Sequence, residues 1–159
     1  MRRRQILTAT AVGIGGLAGC TGGNNSGDSN GEDSPRVTTV ETFYTTLFGD
    51  DDIDGANAML HPDSEAPELK PADFEPFGGI EGISASVTST EITEDGETTA
   101  EIHADVQYST AIGTATDTDW FVLSQADGEW LVALWLPASE RESLSDEEIA
   151  GAMEAAKSI

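Results

Sequence analysis

One cysteine, Cys20, serves all 159 residues, so no disulfide can form within the chain and the fold must be held by packing. A cysteine-based metal site is excluded on the same ground. Basic residues are nearly as scarce: 7 lysines and arginines stand against 30 acidic residues. Arg2, Arg3 and Arg4 sit together at the start, so beyond Gly19 only Arg36, Lys70, Arg141 and Lys157 oppose all 30 carboxylates, a net charge of 4 − 30 = −26. A surface of that sign repels phosphate backbones, which excludes nucleic acid as a partner, and it disfavours anionic head groups. The two histidines, His61 and His103, have no second ligand at metal spacing in their flanks, and both are expected at the surface. No apolar run reaches the roughly 20 residues that span a bilayer. No nucleophile elbow or Ser/His/Asp set is present, and Gly13, Gly15 and Gly16 lack the preceding strand of a phosphate-cradling loop. No residue pattern asks for a cofactor.

Apolar residues make up 38% of the chain and aromatics 6%, enough for a core, so the acidity is that of a folded domain. Abundant Asp, Glu and Thr with almost no Lys resemble the composition of haloarchaeal proteins. Self-repulsion at this charge opposes a compact fold in dilute salt. In multimolar salt the screening length falls to about 3 Å and the repulsion largely vanishes.

The first 19 residues read as a signal. Arg2 to Arg4 form a basic start, and Ile6 to Ala18 form an uncharged apolar stretch of about 13 residues, too short to span. Arg3-Arg4-Gln5-Ile6-Leu7 resembles a twin-arginine export signal. Leu17-Ala18-Gly19-Cys20 resembles the lipobox of lipoproteins, which implies that Cys20 becomes the lipid-modified first residue, anchored to the outer face of the cytoplasmic membrane. Stable anchoring by that route implies two lipid chains at Cys20. Thr21 to Ser34 contains no apolar residue and reads, with Cys20, as a flexible tether spanning roughly 20 Å over residues 20–34.

Residues 35–137 carry the domain signals. Ser34-Pro35 opens a helix, and Val37, Val40, Phe43, Tyr44, Leu47 and Phe48 fall on one face of it before Gly49. A second helix starts in Asp50-Asp51-Asp52 and runs through Ile53, Ala56, Met59 and Leu60 to His61-Pro62. A proline-rich corner follows, with a short helix near Pro71 to Phe77 anchored by Phe74 and Phe77. From Ile83 the period switches to two. Strands are predicted over Ile83–Ile92 and Thr99–Tyr108, joined at Asp95-Gly96, with Ile102, Ala104, Val106 and Tyr108 inward and Glu101, His103, Asp105 and Gln107 outward. Ser109–Asp117 is expected to be a loop. A second hairpin over Asp119–Gln125 and Glu129–Leu136 turns at Asp127-Gly128. Residues 138–159 form a helical extension, opened by the capping box Ser145 to Glu148, with Ile149, Met153 and Ala156 on one side.

Helices followed by an antiparallel meander make an α+β domain. The helix pair, the proline-rich corner, two hairpins and the stretch Gly128-Glu129-Trp130-Leu131-Val132 resemble the NTF2-like cone fold. That resemblance implies N-terminal helices packed on a curved antiparallel sheet. The strands holding Trp120 to Leu123 and Trp130 to Trp135 are apolar on both faces, so their outer face needs cover from the C-terminal helix or from a second copy in a homodimer.

Pocket candidates are Phe43, Tyr44, Phe48, Tyr108, Trp120 and Trp130, with Phe74 and Phe77 beside them. NTF2-like enzymes of the isomerase and dehydratase kind place a tyrosine and carboxyls in the cone. The resemblance therefore makes Tyr44 and Tyr108 the residues to watch, with Asp119 nearby and Asp105 turned away. No carboxyl maps onto a family catalytic position, so no catalytic residue is named. Asp50, Asp52 and Asp54 match half of a calcium loop, but its twelfth position is His61, a poor ligand for a hard cation; no metal is expected. The expected function is non-catalytic: a lipid-anchored, extracytoplasmic domain binding a small apolar or amphipathic ligand or an envelope partner. The alternatives are an isomerase-type enzyme and a structural or interaction module. A cone cavity above roughly 300 Å³ holding a carboxyl and a tyrosine hydroxyl would favour chemistry, and a filled cone would favour the module.

Overall fold

The computed structural model describes residues 34–159. The signal residues Arg3, Arg4, Leu17, Ala18 and Gly19, the lipidation candidate Cys20 and most of the tether lie outside the described residues.

Helix α1 spans Pro35–Tyr44 and continues through a π-helical turn, Thr45–Gly49. All six residues expected on its apolar face are buried. Helix α2, Ile53–Ala58, begins as expected, with the Asp52 carboxylate accepting from the Gly55 N–H at 2.8 Å. It ends earlier than the sequence suggests, because Met59 to His61 pair with the chain's last strand instead. The His61 N–H donates to Val132 O at 2.8 Å, and Val132 N–H donates to Met59 O at 2.9 Å. This pairing buries His61, correcting its expected place at the surface. Pro71–Phe77 is a short 3₁₀ helix. Phe74 is its anchor, whereas Phe77 is 51% exposed and anchors nothing.

Four strands follow in a simple antiparallel meander: β1 Ile83–Asp95, β2 Thr99–Thr110, β3 Gly113–Ala126 and β4 Glu129–Leu136. The expected loop Ser109–Asp117 is instead the tip of the β2–β3 hairpin, with Thr110 paired to Gly113 and Tyr108 to Ala115. Here the strands extend past the core. No apolar residue is needed on either face, and the period-two signal disappears although the ladder continues. The second hairpin turns at Asp127 (φ 53) and Gly128 (φ 86), the left-handed pair that a two-residue turn demands.

Register shifts in β1 and between Val122 and Leu123 of β3 allow the sheet to curve. Helix α1 fills the concave side, where Val40, Phe43, Leu47, Ile102, Val106, Phe121 and Leu123 form the main core. After β4 come a one-turn helix α3, Ala138–Arg141, and helix α4, Asp146–Lys157, which opens with the expected Ser145/Glu148 capping box. Met153 and Ala156 of α4 pack on Val122 and Ala133, with Trp120, Leu134 and Ile149 around them. Thus α4 supplies cover for the outer face of β3 and β4. Lys157 ties its end to Glu101 of β2 at 2.8 Å and to Glu94 of β1.

Candidate functional site

The alternation of β3 puts Phe121 and Leu123 in the core and Asp119 on the same face, one step nearer the open end. Asp119 is fully buried. Its Oδ2 accepts hydrogen bonds from the Tyr44 hydroxyl, the Tyr108 hydroxyl and, at 3.2 Å, Trp135 Nε1. Its Oδ1 accepts from the Ala138 N–H at 3.0 Å. Residues from α1, β2, β3, β4 and the start of α3 thus converge on one side chain. Three of the four donors crowd onto Oδ2 and one takes Oδ1.

The two tyrosine hydroxyl oxygens lie 3.2 Å apart, and Trp135 Nε1 is also 3.2 Å from the Tyr44 oxygen. Burial pushes the Tyr44 hydroxyl well above its ordinary pKa, and the neighbouring Tyr108 and Asp119 push it further. Tyr108 is raised by burial first and by the Asp119 charge second. Both phenols are therefore neutral and aim their protons at Asp119.

Beyond this cluster the cone opens into a cavity of about 910 Å³. Phe48, Phe74, Tyr108 and Trp135 wall it, the β2–β3 tip and the 3₁₀ helix form its rim, and α3 closes one side. Ile112, 95% exposed, and Phe77 stand on that rim.

Of the six pocket candidates, Phe48 and Tyr108 line the cavity. Tyr44 stands behind the wall, wired to Asp119, while Phe43 is buried core. Trp120 is a correction: its odd register against Asp119 and Phe121 sends it to the outer face. There it stacks on His103 at 4.7 Å and under the Arg141 guanidinium at 4.4 Å. Trp130 packs on the core beneath Arg36, 4.3 Å away, and is not among the lining residues. Asp105 faces outward as expected, accepting from Ser89 and Thr118 hydroxyls that hold its carboxyl below the usual range. Of the half calcium loop, Asp52 spends an oxygen on the cap of α2.

Trp135 and the Ala138 N–H are the members the sequence does not offer. Leu123 pairs with Val132 and Val122 with Leu134, so Ala133 is an extra residue in β4. That bulge reverses the alternation. Without it Trp135 would share the outer face with Ala133; with it, Trp135 points into the cone. The continuous apolar run from Trp130 to Leu136 carries no mark of where its alternation breaks.

No protein-family model and no curated protein matches this chain. Among solved structures, an Ntf2-like protein involved in plasmid conjugation superposes with a TM-score of 0.52 at 9% identity, over 82% of this chain and 49% of that one. The fold is NTF2-like. This chain thus spans about half the length of that protein. An NTF-2-like protein of unknown function from Shewanella oneidensis matches at 0.48, with 11% identity over 65% of this chain and 95% of that one. Aln2 from a Streptomyces species matches at 0.46, with 18% identity over 74% and 93%. In this NTF2-like domain the expected architecture holds, with helices packed on a curved four-stranded antiparallel sheet.

Proposed function

We propose that the protein is a lipid-anchored, extracytoplasmic binding domain whose cone holds a small amphipathic molecule without transforming it. The observation that carries this reading is the large aromatic-walled cavity above a fully buried carboxylate both of whose oxygens already accept hydrogen bonds. A volume of about 910 Å³ with a carboxyl and a tyrosine hydroxyl at its end meets the condition that would favour chemistry. The wiring argues the other way. A general base needs a free lone pair within reach of a substrate proton. Asp119 is fully buried and both its oxygens already accept hydrogen bonds, three on Oδ2 and one on Oδ1, so neither is presented free to a substrate. The Tyr108 hydroxyl, its own proton committed to Asp119, meets the cavity as an acceptor. Aromatic walls with charged groups gathered towards one end suit retention of an apolar body with one oriented polar end.

The test is occupancy. Protein recovered with native lipid extract should carry a small molecule detectable by native mass spectrometry. Ala115→Trp, at a lining position near the rim, should abolish that occupancy while leaving the fold intact. An empty cone in both proteins would sink the binding reading.

Anchoring rests on the lipobox-like Leu17-Ala18-Gly19-Cys20 and the twin-arginine-like start. Cys20→Ser is expected to release the domain into the medium or leave it unprocessed. If the variant is processed and fractionates with membranes as before, the anchor is not at Cys20.

A second reading, an enzyme of the isomerase kind, is favoured only by the placement of Tyr108 beside Asp119 in the cavity wall. It requires that Tyr108→Phe abolish turnover of an enolisable ketone, whereas a binding domain shows no turnover to lose.

A further inference from the structure

We infer that the cone selects a cationic head group, an alkylammonium or quaternary ammonium, at the polar end of its ligand; this rests on the binding reading above. Neutral groups satisfy the Asp119 carboxylate: two phenols, an indole and a peptide N–H. Hydrogen bonds from neutral donors solvate a charge but do not cancel it. Among the described residues no lysine or arginine pairs with Asp119. The nearest in sequence, Arg141, bonds Thr118 O and lies over Trp120 on the opposite face of β3. The cavity therefore ends on an uncancelled negative charge in a low-dielectric setting, where charge acts furthest.

A second charge stands in line with the first. Asp117 occupies the next inward position of β3, one alternation nearer the mouth, and lines the cavity. Two residues of strand advance by about 6.6 Å, so the two side chains stand one step apart on the same face of β3, and both line the cavity. The Asp117 charge reaches far enough to contribute to the raised Tyr108 pKa. Glu68, Asp73 and Glu140 stand at the same mouth against Lys70 alone.

The walls add the other half of the recognition. Phe48, Phe74, Tyr108 and Trp135 present aromatic faces and edges to one space. Aromatic faces attract cations by their quadrupole and attract anions not at all. A ligand carboxylate would meet two like charges in a partly desolvated site, and an alcohol would gain only the Tyr108 oxygen. An ammonium gains both carboxylates and the rings, while its chain covers Ile112 and Phe77 at the rim.

Three probes with one chain length separate these cases: hexyltrimethylammonium, hexanol and hexanoate. Each is titrated calorimetrically into the full-length protein at one fixed salt concentration, the lowest at which it stays folded, so that the exposed Asp117 charge is not screened out. The ammonium should bind roughly tenfold more tightly than hexanol, with hexanoate weakest. Asp117→Asn, at an exposed position, keeps the buried cluster intact. It should remove most of the ammonium advantage and leave hexanol affinity unchanged. Hexanol or hexanoate binding as well as the ammonium overturns the charge selectivity and leaves the binding cone standing. An ammonium preference that survives Asp117→Asn overturns the role given to the mouth carboxylate. No binding of any probe overturns both this inference and the binding reading.

Discussion

Asp119→Ala is expected to cost the fold about 4 kcal/mol, the largest loss of any single polar substitution in the domain. The change removes an acceptor from four donors at once, the Tyr44 and Tyr108 hydroxyls, Trp135 Nε1 and the Ala138 N–H, of which Trp135 Nε1 keeps the Tyr44 oxygen at 3.2 Å. A buried donor left without a partner costs roughly 1–3 kcal/mol. The four do not simply add. The tyrosine oxygens are already 3.2 Å apart and can bond each other, and the adjoining cavity can admit water to Tyr108. That relief brings the expected total to about 4 rather than 8 kcal/mol. Asp119→Asn should cost less, about 2–3 kcal/mol, because its amide oxygen can face the three-donor side. Its NH₂ then opposes the Ala138 N–H. Tyr44→Phe removes one donor and leaves the carboxylate three, so about 1–2 kcal/mol is expected. Denaturant midpoints at constant high salt measure all three, with unchanged slopes showing that the comparison is of stability alone. Against a usual stability of about 5–15 kcal/mol the alanine variant sits near the edge of folding. A loss below about 1 kcal/mol for Asp119→Ala would mean that the carboxylate does not hold the cluster together.

The same cluster shows what the sequence carries and what it leaves to tertiary structure. Local periodicity places Tyr44 and Tyr108. One follows from the face of α1 set by Val37, Val40 and Phe43, the other from the strict alternation of β2. Both tyrosines are therefore legible as residues facing one cone. Asp119 is legible only as a neighbour of that region. Its inward direction depends on which of two apolar sets in Trp120 to Leu123 faces α1, and both are apolar because α4 covers the second. Period-two reasoning cannot choose between two buried faces, which is also why it sends Trp120 to the pocket. Trp135 escapes it through the extra residue Ala133. His61 escapes it because its burial comes from backbone pairing with Val132, 71 positions away and invisible to local pattern. The hairpin tip at Ala111 and Ile112 is missed for the opposite reason, since a strand beyond the core needs no apolar face. Element order survives all of these errors, because it depends on period and turn chemistry summed over long windows.

Alkali should unfold this protein through its tyrosines, and the chain provides its own indicator. It has two tyrosines, Tyr44 and Tyr108, and both belong to the buried cluster. Their folded pKa values lie above the ordinary value near 10, so below that pH both states hold the protons and the contribution to stability is complete. Above it the unfolded chain releases two protons that the folded chain keeps. Stability then falls by about 1.4 kcal/mol per pH unit for each tyrosine, roughly 5 kcal/mol by pH 12 for the pair. Lys157 acts in the same window. Its pKa is raised by hydrogen bonds to Glu101 and Glu94, so it also loses stabilising interaction as pH rises. Lys157→Met separates the two effects: it should remove the lysine contribution and leave the tyrosine slope. Followed by tyrosinate absorbance, the native protein should show no ionised phenol near pH 10. Both should then appear together, in one step coincident with loss of the far-ultraviolet signal. In denaturant the same two groups should titrate near 10 without cooperativity. Made in the Lys157→Met background, Tyr44→Phe should halve the remaining slope of stability against pH in the alkaline range. One tyrosinate emerging near pH 10 from a protein that keeps its fold would mean that Tyr108 is open to solvent. Its proton would then not be held on Asp119, and Oδ2 would be open to a substrate on the cavity side, which the binding reading denies.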